Sequence, residues 1–319
     1  MDKAKKSSTP IDYFLKKIIN QLIKVAFKKK DPLILVNGVA EQYESWFFNV
    51  SSLTENFVVH WPNLYLFQSN LYLADLKKIS VSWIVNRLET YLDSFVTTPP
   101  YHLVGSSAGC QTIATLAAKR PEIVSKLVLI CPSGLEGDEH FPVIEGVSKR
   151  DLRSMISSIF HNKENFAVDE IIDVLKERFE NKKWRLGFVK MAQVTKKNSI
   201  IEELLSLKCP VLFICGEEDQ IIPIWQAYNA VQKMRDVGVN VAMIVIRECG
   251  HAPQIERFQI TNRFVTEFLN GKLLGEKTKE RFWKQDGISF MPFELDKAVS
   301  KANAAREKAK HIVESPALV

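Results

Sequence analysis

The feature that most constrains this chain is the segment GSSAG (105–109), which has small residues around a central serine. The run before it, YHLVG (101–105), is typical of a buried strand, and CQTIATLAAKR (110–120) predicts a helix that Pro121 ends. Glycine two positions either side of a serine permits a sharp strand-to-helix turn, because side chains there would collide. GSSAG alone would also fit a plain turn of small residues, but its setting favours Ser107 as a nucleophile.

Strand-like and helix-like segments alternate along residues 32–271. Apolar runs followed by turn residues predict buried strands, and amphipathic segments predict helices. The predicted strands are 32–38, 56–64, 101–105, 126–134, 210–216 and 239–249, and the predicted helices include SWFFNVSSLTEN, 80–96, 110–120 and 256–270. This alternation predicts an α/β fold with a mostly parallel sheet and helices on both faces.

A serine hydroxyl needs a base to take its proton, and in this order of elements the base should follow the last strand. His251 does so in IRECGHAPQIE, just before the closing helix. The other histidines lie in strands, in the region after the fourth strand or in the polar tail, and are His60, His102, His140, His161 and His311. Position along the chain therefore favours His251.

The base in turn needs a carboxylate that orients it. The turn after the fifth strand, CGEEDQIIP, offers Glu217, Glu218 and Asp219. The spacing of Asp219 from Gly216 and Pro223 matches a turn leading into a helix. We therefore expect Asp219 to be the acid and the two glutamates to be solvated turn charges.

Two backbone N–H groups are candidates for an oxyanion hole. The N–H of Ala108 begins the helix after the candidate nucleophile, where the helix N-terminus favours negative charge. The second should come from the turn after the first strand, LVNGVAEQYESW, with Val39 as the donor. Gly38 would let this turn approach the substrate.

These motifs together resemble a serine hydrolase of the α/β-hydrolase superfamily with a helical cap. The resemblance covers roughly residues 32–271 and is carried by LILVNG with Trp46 downstream, GSSAG, GEEDQIIP and GHAPQIE. It implies that fold and these site residues: Ser107 as nucleophile, Asp219 as acid, His251 as base, and Val39 and Ala108 as oxyanion donors. Capped members act on esters, thioesters, lactones, amides or the carbon–carbon bonds of diketones.

The chain departs from the usual pattern of this superfamily in two loops. Asn37-Gly38 stands where many members have His-Gly, and HWPNLYLFQSN replaces the usual glycine-containing loop after the second strand. The two extra antiparallel strands common at the N-terminus of the fold are also not predicted, because the residues before the first strand form a helical pattern.

Five segments follow from these patterns. Residues 32–134 and 207–271 form the predicted hydrolase core, and the helical patterns of 135–206 predict a cap inserted between the fourth and fifth strands. Residues 272–319 form a C-terminal extension. Residues 1–31 contain a basic amphipathic helix over 11–27, followed by more lysines.

The net charge of +6 is concentrated at the N-terminus, where residues 1–30 hold nine lysines against two aspartates. The rest of the chain is nearly neutral, which argues against a nucleic-acid-binding surface. The apolar face of the 11–27 helix either packs on its own domain or, with residues 11–30, contacts an anionic membrane surface peripherally. Packing on the domain is the more common arrangement.

Five cysteines with no C-x-x-C pair indicate a reducing, cytoplasmic location. No motif for a metal or a cofactor is found, so none is expected. Aromatic residues follow the first two strands and form either an apolar acyl pocket or core packing: Trp46, Phe47, Phe48, Trp61 and Tyr65.

The sequence therefore predicts a serine hydrolase that cleaves an ester-like bond of an apolar small molecule through an acyl-enzyme. The same triad would serve a carbon–carbon bond hydrolase, a thioesterase or an acyltransferase, because fold does not fix substrate. A non-enzymatic binding or membrane-docking protein with the hydrolase fold is the alternative from another class.

Overall fold

A computed structural model of the chain describes residues 30–39, 41, 43–65, 73–96, 98–136, 151–166, 169–271 and 288–290. The chain divides into two units after Asp31, and the elements below belong to the second. The predicted basic helix of 11–27 and most of the 272–319 extension lie outside the described residues. Among the described helices, none has the length and apolar character needed to cross a membrane.

The strands form one seven-stranded sheet in the order β2-β1-β3-β4-β5-β6-β7. The first six pair in parallel, and β7 pairs antiparallel to β6. The strands are β1 Pro32–Val36, β2 Val58–His60, β3 Tyr101–Ser106, β4 Val124–Ile130, β5 Val211–Gly216, β6 Val241–Ile246 and β7 Ile288–Phe290. The predicted α/β fold with a mostly parallel sheet is confirmed.

Helices connect the parallel strands. The described α-helices are α1 Phe47–Thr54, α2 Val81–Phe95, α3 Ala108–Lys119, α4 Leu152–Ser157, α5 Lys163–Phe166, α6 Asp169–Glu180, α7 Lys182–Lys197, α8 Ile201–Ser206, α9 Ile224–Asp236, α10 Pro253–Glu256 and α11 Phe258–Leu269. Short 3-10 turns span Tyr43–Trp46, Leu73–Lys78 and Pro121–Ile123.

Hydrophobic cores lie on both faces of the sheet, as the continuous apolar strands require. Successive side chains of β1 point to opposite faces, so Ile34 and Val36 join the larger core while Leu33 and Leu35 join the smaller one. The smaller core is closed by α1 and α11, and the larger one by α2, α3 and α9 and by helices inserted between β4 and β5.

Helices α4 to α8 follow β4 and precede β5, within the range predicted to be a cap. They bury apolar faces, with aromatic packing among Phe179, Trp184 and Phe188 at ring distances of 4.7–5.1 Å. Residues 137–150, 167 and 168 of that range lie outside the described part. The division of the chain into core, cap and extension remains a prediction.

The six predicted strands differ from the observed ones by one to four residues at one or both ends, and the second and fourth show why. The second is shorter than 56–64, because it is an edge strand and pairs only with β1 over Val58–His60. The fourth ends at Ile130 rather than 134, because Cys131 adopts a φ of 42° and turns the chain out of the sheet. The strand β7 was not predicted, since its three residues carry no recognisable pattern.

Candidate active site

Ser107 lies at the turn between β3 and α3 with φ 51° and ψ −121°, a conformation that non-glycine residues rarely adopt. Its N–H donates to the carbonyl of Ile130 over 2.9 Å. The turn is tight, because a Cβ added at Gly109 would lie 2.3 Å from the Val36 carbonyl oxygen, and one at Gly105 would lie 2.8 Å from Ile113 Cδ1. The flanking glycines are therefore required by close packing.

The structure brings Ser107, Asp219 and His251 together at the carboxyl edge of the sheet. His251 Nε2 lies 2.9 Å from Ser107 Oγ, and His251 Nδ1 lies 2.8 Å from Asp219 Oδ2. The side chains of His251 and Asp219 are only 6% and 3% exposed. An ionised carboxylate only accepts hydrogen bonds, so Nδ1 carries the proton and Nε2 is left to accept from the serine hydroxyl.

The turn after β5 fixes the second oxygen of Asp219. Asp219 Oδ1 accepts the N–H groups of Ile221 and Ile222 over 2.8 and 3.0 Å. This leaves Oδ2 directed at the imidazole. An aspartate at this position therefore both closes its own turn and orients the histidine.

The neighbouring glutamates behave differently from one another. Glu217 is exposed, as predicted, with Arg247 at 3.7 Å. Glu218 was wrongly predicted to be a solvated charge, because its Oε2 accepts the N–H of Cys249 over 2.9 Å. Glu218 thus fastens the loop that carries His251.

The turn after β1 lies directly against Ser107. A Cβ added at Gly38 would come within 2.9 Å of Ser107 Cβ. Asn37 Nδ2 holds the turn by donating to the carbonyls of Gly38 and Glu41 over 2.9 and 2.8 Å. Val39 is buried in the same turn.

The other candidate donor, Ala108, is the first residue of α3. Its N–H therefore belongs to the first helical turn, whose N–H groups have no partner within the helix. The two N–H groups assigned from sequence thus belong to the turn after β1 and to the first turn of α3.

Sequence reasoning missed a buried carboxyl group beside this turn. Glu41 is 8% exposed, and its Oε1 accepts the hydroxyl of Ser106 over 2.7 Å. Ser106 Oγ also accepts from Gln254 Nε2 over 3.0 Å. Burial raises the pKa of the Glu41 carboxyl above its ordinary value, and the Ser106 hydrogen bond, the charge of His251 and the N–H of Gly38 lower it in part.

Glu256 was also missed, and it joins the inserted helices to the histidine loop. Its carboxylate accepts the N–H groups of Gly250, His161 and Asn162 over 2.7, 3.2 and 2.6 Å. The N–H of His251 itself donates to the carbonyl of Ile159 over 2.7 Å. The segment between α4 and α5 is therefore fastened to the backbone around the candidate base.

All five cysteines are free and buried. Cys110 Sγ lies 3.1 Å from the Gly105 carbonyl, and burial raises the pKa of this thiol well above its ordinary range. Among the described residues, Cys131, Asp219 and His251 could offer metal-ligand atoms within 4.8 Å of one another. A metal there would have to replace the hydrogen bond between Asp219 and His251, and burial raises the pKa of the Cys131 thiol, so this donor set does not suit a metal.

The aromatic residues considered for an acyl pocket separate into two groups. Trp46 and Tyr65 are core residues, with 1% and 4% exposure, and Trp61 packs partly against the smaller core. Phe47 and Phe48 are 62% and 53% exposed at the start of α1, where Phe48 stacks on Phe258 at 5.2 Å.

Comparison with known proteins gives relatives of this architecture. Residues 31–258 match the family model of the α/β hydrolase fold. Monoacylglycerol lipase abhd6-B of Xenopus laevis is 23% identical over 266 residues, which cover 76% of each chain. The human monoacylglycerol lipase ABHD6 is 22% identical and covers 75% of each chain. A 2-hydroxy-6-oxo-6-phenylhexa-2,4-dienoate hydrolase of Comamonas testosteroni is 27% identical over 182 residues, which cover 53% of this chain and 62% of that protein.

Solved structures show the same fold. The meta-cleavage product hydrolase CumD of Pseudomonas fluorescens IP01 superposes with a TM-score of 0.66 at 20% identity, covering 76% of this chain and 92% of that one. The family model matches well over half of the chain, and the sheet order and the strand-to-helix turn at Ser107 agree with it. The chain therefore belongs to the α/β-hydrolase family and is a hydrolase.

Proposed function

We propose that the protein is a serine hydrolase that cleaves a carboxylic ester bond of an apolar small molecule. The observation that carries this proposal is the hydrogen-bonded series from Ser107 Oγ to His251 Nε2 and from His251 Nδ1 to Asp219 Oδ2, at 2.9 and 2.8 Å. A buried imidazole held in this tautomer is suited to take a proton from a serine hydroxyl.

The reaction would proceed in two steps. Ser107 Oγ attacks the ester carbonyl as His251 Nε2 takes the hydroxyl proton, and Asp219 stabilises the imidazolium that forms. The N–H groups of Val39 and Ala108 stabilise the oxyanion. His251 gives its proton to the leaving alcohol, and the same groups then activate water to hydrolyse the acyl-enzyme.

Relatives that match most of this chain support a substrate class for the proposal. The monoacylglycerol lipases match three quarters of this chain and of their own length. A monoacylglycerol is an ester with one long acyl chain, and it fits an enzyme whose catalytic groups need no cofactor. We take long-chain monoacylglycerols and similar esters as the first substrates to test.

A carbon–carbon bond hydrolase is the second candidate. It is supported by the Comamonas testosteroni relative, which matches only 53% of this chain, and by the fold of CumD. The triad and oxyanion donors would be the same, so only the bond cleaved distinguishes the two functions.

The test is turnover of three substrate sets by wild type and Ser107→Ala in parallel. The sets are nitrophenyl esters of increasing acyl length, a monoacylglycerol and a 2-hydroxy-6-oxo-dienoate. We expect ester cleavage that Ser107→Ala abolishes while the melting temperature is kept. Cleavage of the dienoate alone would replace the ester assignment, and unchanged turnover in Ser107→Ala would refute the nucleophile.

A further inference from the structure

The buried carboxyl group of Glu41 lies where three parts of the candidate site meet. It follows the turn after β1 that carries Val39, and it binds Ser106, the residue directly before the nucleophile. Through Ser106 it connects to Gln254, three residues after His251 and fully buried on α10. One side chain therefore links the candidate oxyanion turn, the nucleophile and the histidine loop.

The hydrogen bonds around Glu41 indicate which form of the carboxyl group they suit. Ser106 Oγ receives a hydrogen bond from Gln254 Nε2, so its own proton is available for Glu41 Oε1 at 2.7 Å. The backbone N–H of Gly38 can only donate, and it faces Glu41 Oε2 at 3.4 Å. Both oxygens thus act as acceptors, which is the pattern of an ionised carboxylate.

Glu41 also restrains the turn mechanically. A Cβ at Gly38 would lie 3.2 Å from Glu41 Oε1 and 2.9 Å from Ser107 Cβ, so carboxylate, turn and nucleophile are in contact. Asn37 Nδ2 donates to the Glu41 carbonyl over 2.8 Å, which closes the turn from the other side. Glu41 therefore packs against the turn that carries Val39 and holds it by contacts on both sides.

The titratable groups that face Glu41 come from three elements. His251 lies across the nucleophile, and its charge lowers the pKa of the Glu41 carboxyl. Tyr65 and Cys110 are fully buried neighbours, and the Glu41 charge contributes to raising the pKa of each, after burial. Both are therefore neutral at physiological pH. Of these three groups, only His251 can carry a positive charge that balances the charge of Glu41.

We propose that Glu41 is a positioning residue: its carboxylate holds the turn that presents the Val39 N–H, and its charge favours the imidazolium form of His251. This proposal rests on the proposed serine-hydrolase function. The positive charge on His251 appears in the same step as the oxyanion. Glu41 would therefore favour the imidazolium through its charge and the oxyanion through the position of the Val39 N–H.

The experiment measures the second-order rate at which a fluorophosphonate labels Ser107 between pH 5 and 9. Labelling is used because it requires the serine, the base and the oxyanion donors but no particular natural substrate. Wild type is compared with Glu41→Gln and Glu41→Asp. Glu55→Gln is the control for the same chemical change on an exposed residue, and Asn49→Ala, which loses a buried hydrogen bond to Asn262, controls for general loosening.

We expect Glu41→Gln to label about 10- to 100-fold more slowly, because a displaced donor weakens oxyanion binding. The acid limb of its pH profile, where the labelling rate falls as His251 becomes protonated, should move to lower pH. The reason is that the imidazolium form is less favoured without the carboxylate. Glu41→Asp keeps the charge but is shorter, so it should label slowly with an acid limb nearly unmoved. Melting temperatures identify any variant that does not fold, and Glu41→Asp then carries the test.

The outcomes separate this proposal from the proposed function. Wild-type rates and an unmoved acid limb in Glu41→Gln would overturn the role of Glu41, as would an equal change in Asn49→Ala. Labelling of wild type without turnover of any ester would contradict the substrate class but not Glu41. Absence of Ser107 labelling in wild type would overturn both proposals.

Discussion

Gly38 and Ser107 are in direct contact, since a Cβ on Gly38 would lie 2.9 Å from the Ser107 Cβ. The turn after the first strand and the turn after the third therefore form one packed unit at the carboxyl edge of the sheet. Parallel strands bring their carboxyl ends to the same edge, which is where α/β folds place their sites.

Gly38→Ala tests this contact. The added methyl group would press on Ser107 and on the Ser106 carbonyl, at 2.9 and 3.3 Å, and would displace the turn. We expect kcat for ester cleavage to fall about 100-fold.

Gly238→Ala is the control, because Gly238 has a φ of 83° and nothing within 4 Å of an added Cβ. It should lose about 1 kcal/mol of stability and no activity. Activity of Gly38→Ala within twofold of wild type would contradict the assignment of this turn.

Asp219→Asn tests the orientation of the base. The amide oxygen would keep the N–H groups of Ile221 and Ile222, so the amide nitrogen would face His251 Nδ1 and shift the imidazole proton to Nε2. We expect kcat to fall by about 10⁴-fold with little change in KM. In Glu218→Gln the new amide oxygen can still accept from Cys249, so activity should stay near wild type. Equal losses of kcat in the two variants would contradict the role of Asp219 in orienting the His251 imidazole.

Glu256→Ala tests the attachment of the inserted helices to the histidine loop. The change leaves three N–H groups without their acceptor, and one of them belongs to Gly250, next to His251. We expect a loss of about 1–3 kcal/mol in urea unfolding and about a tenfold lower kcat. The exposed Glu177 on α6, changed to alanine, should alter neither. A Glu256→Ala enzyme as stable as wild type would show that this attachment is not needed.

The buried charge of Glu41 also predicts how stability depends on pH. Burial raises the pKa of the Glu41 carboxyl from 4.5, so the folded state binds this proton more tightly than the unfolded state. The favourable contribution is complete below about pH 4.5 and is lost as pH rises through the raised pKa. The melting temperature of wild type relative to Glu41→Gln should therefore fall as the pH rises above about 4.5. A constant difference would contradict a titrating buried carboxyl.

Local patterns were sufficient for much of the fold. Continuous apolar runs predicted the parallel strands, and GSSAG predicted the turn at Ser107 because its requirements lie within five residues of sequence. Ser107, Asp219 and His251 each follow the end of a strand, so their meeting could be expected from topology. The structure brings them to hydrogen-bonding distance, and their catalytic roles remain the proposal to be tested.

Glu41 and Glu256 could not be recognised in this way. Ser106 is 65 residues from Glu41 along the chain, and Gln254 is 148 residues from Ser106. Glu256 accepts N–H groups of residues about 95 positions away. Hydrogen bonds between distant segments leave no periodic signal in a single sequence. A usable hint was the acidic residue in NGVAE, a turn of small and apolar residues that is followed by an aromatic helix.

The most direct test of Ser107 as the nucleophile is to locate the acyl group during turnover. A nitrophenyl ester reaction is quenched in acid within the first turnover, and the protein is digested and mapped by mass spectrometry. We expect acyl transfer to the peptide containing Ser107, on that serine, with no adduct in Ser107→Ala. An adduct on any other residue, or ester turnover that persists in Ser107→Ala, would contradict it.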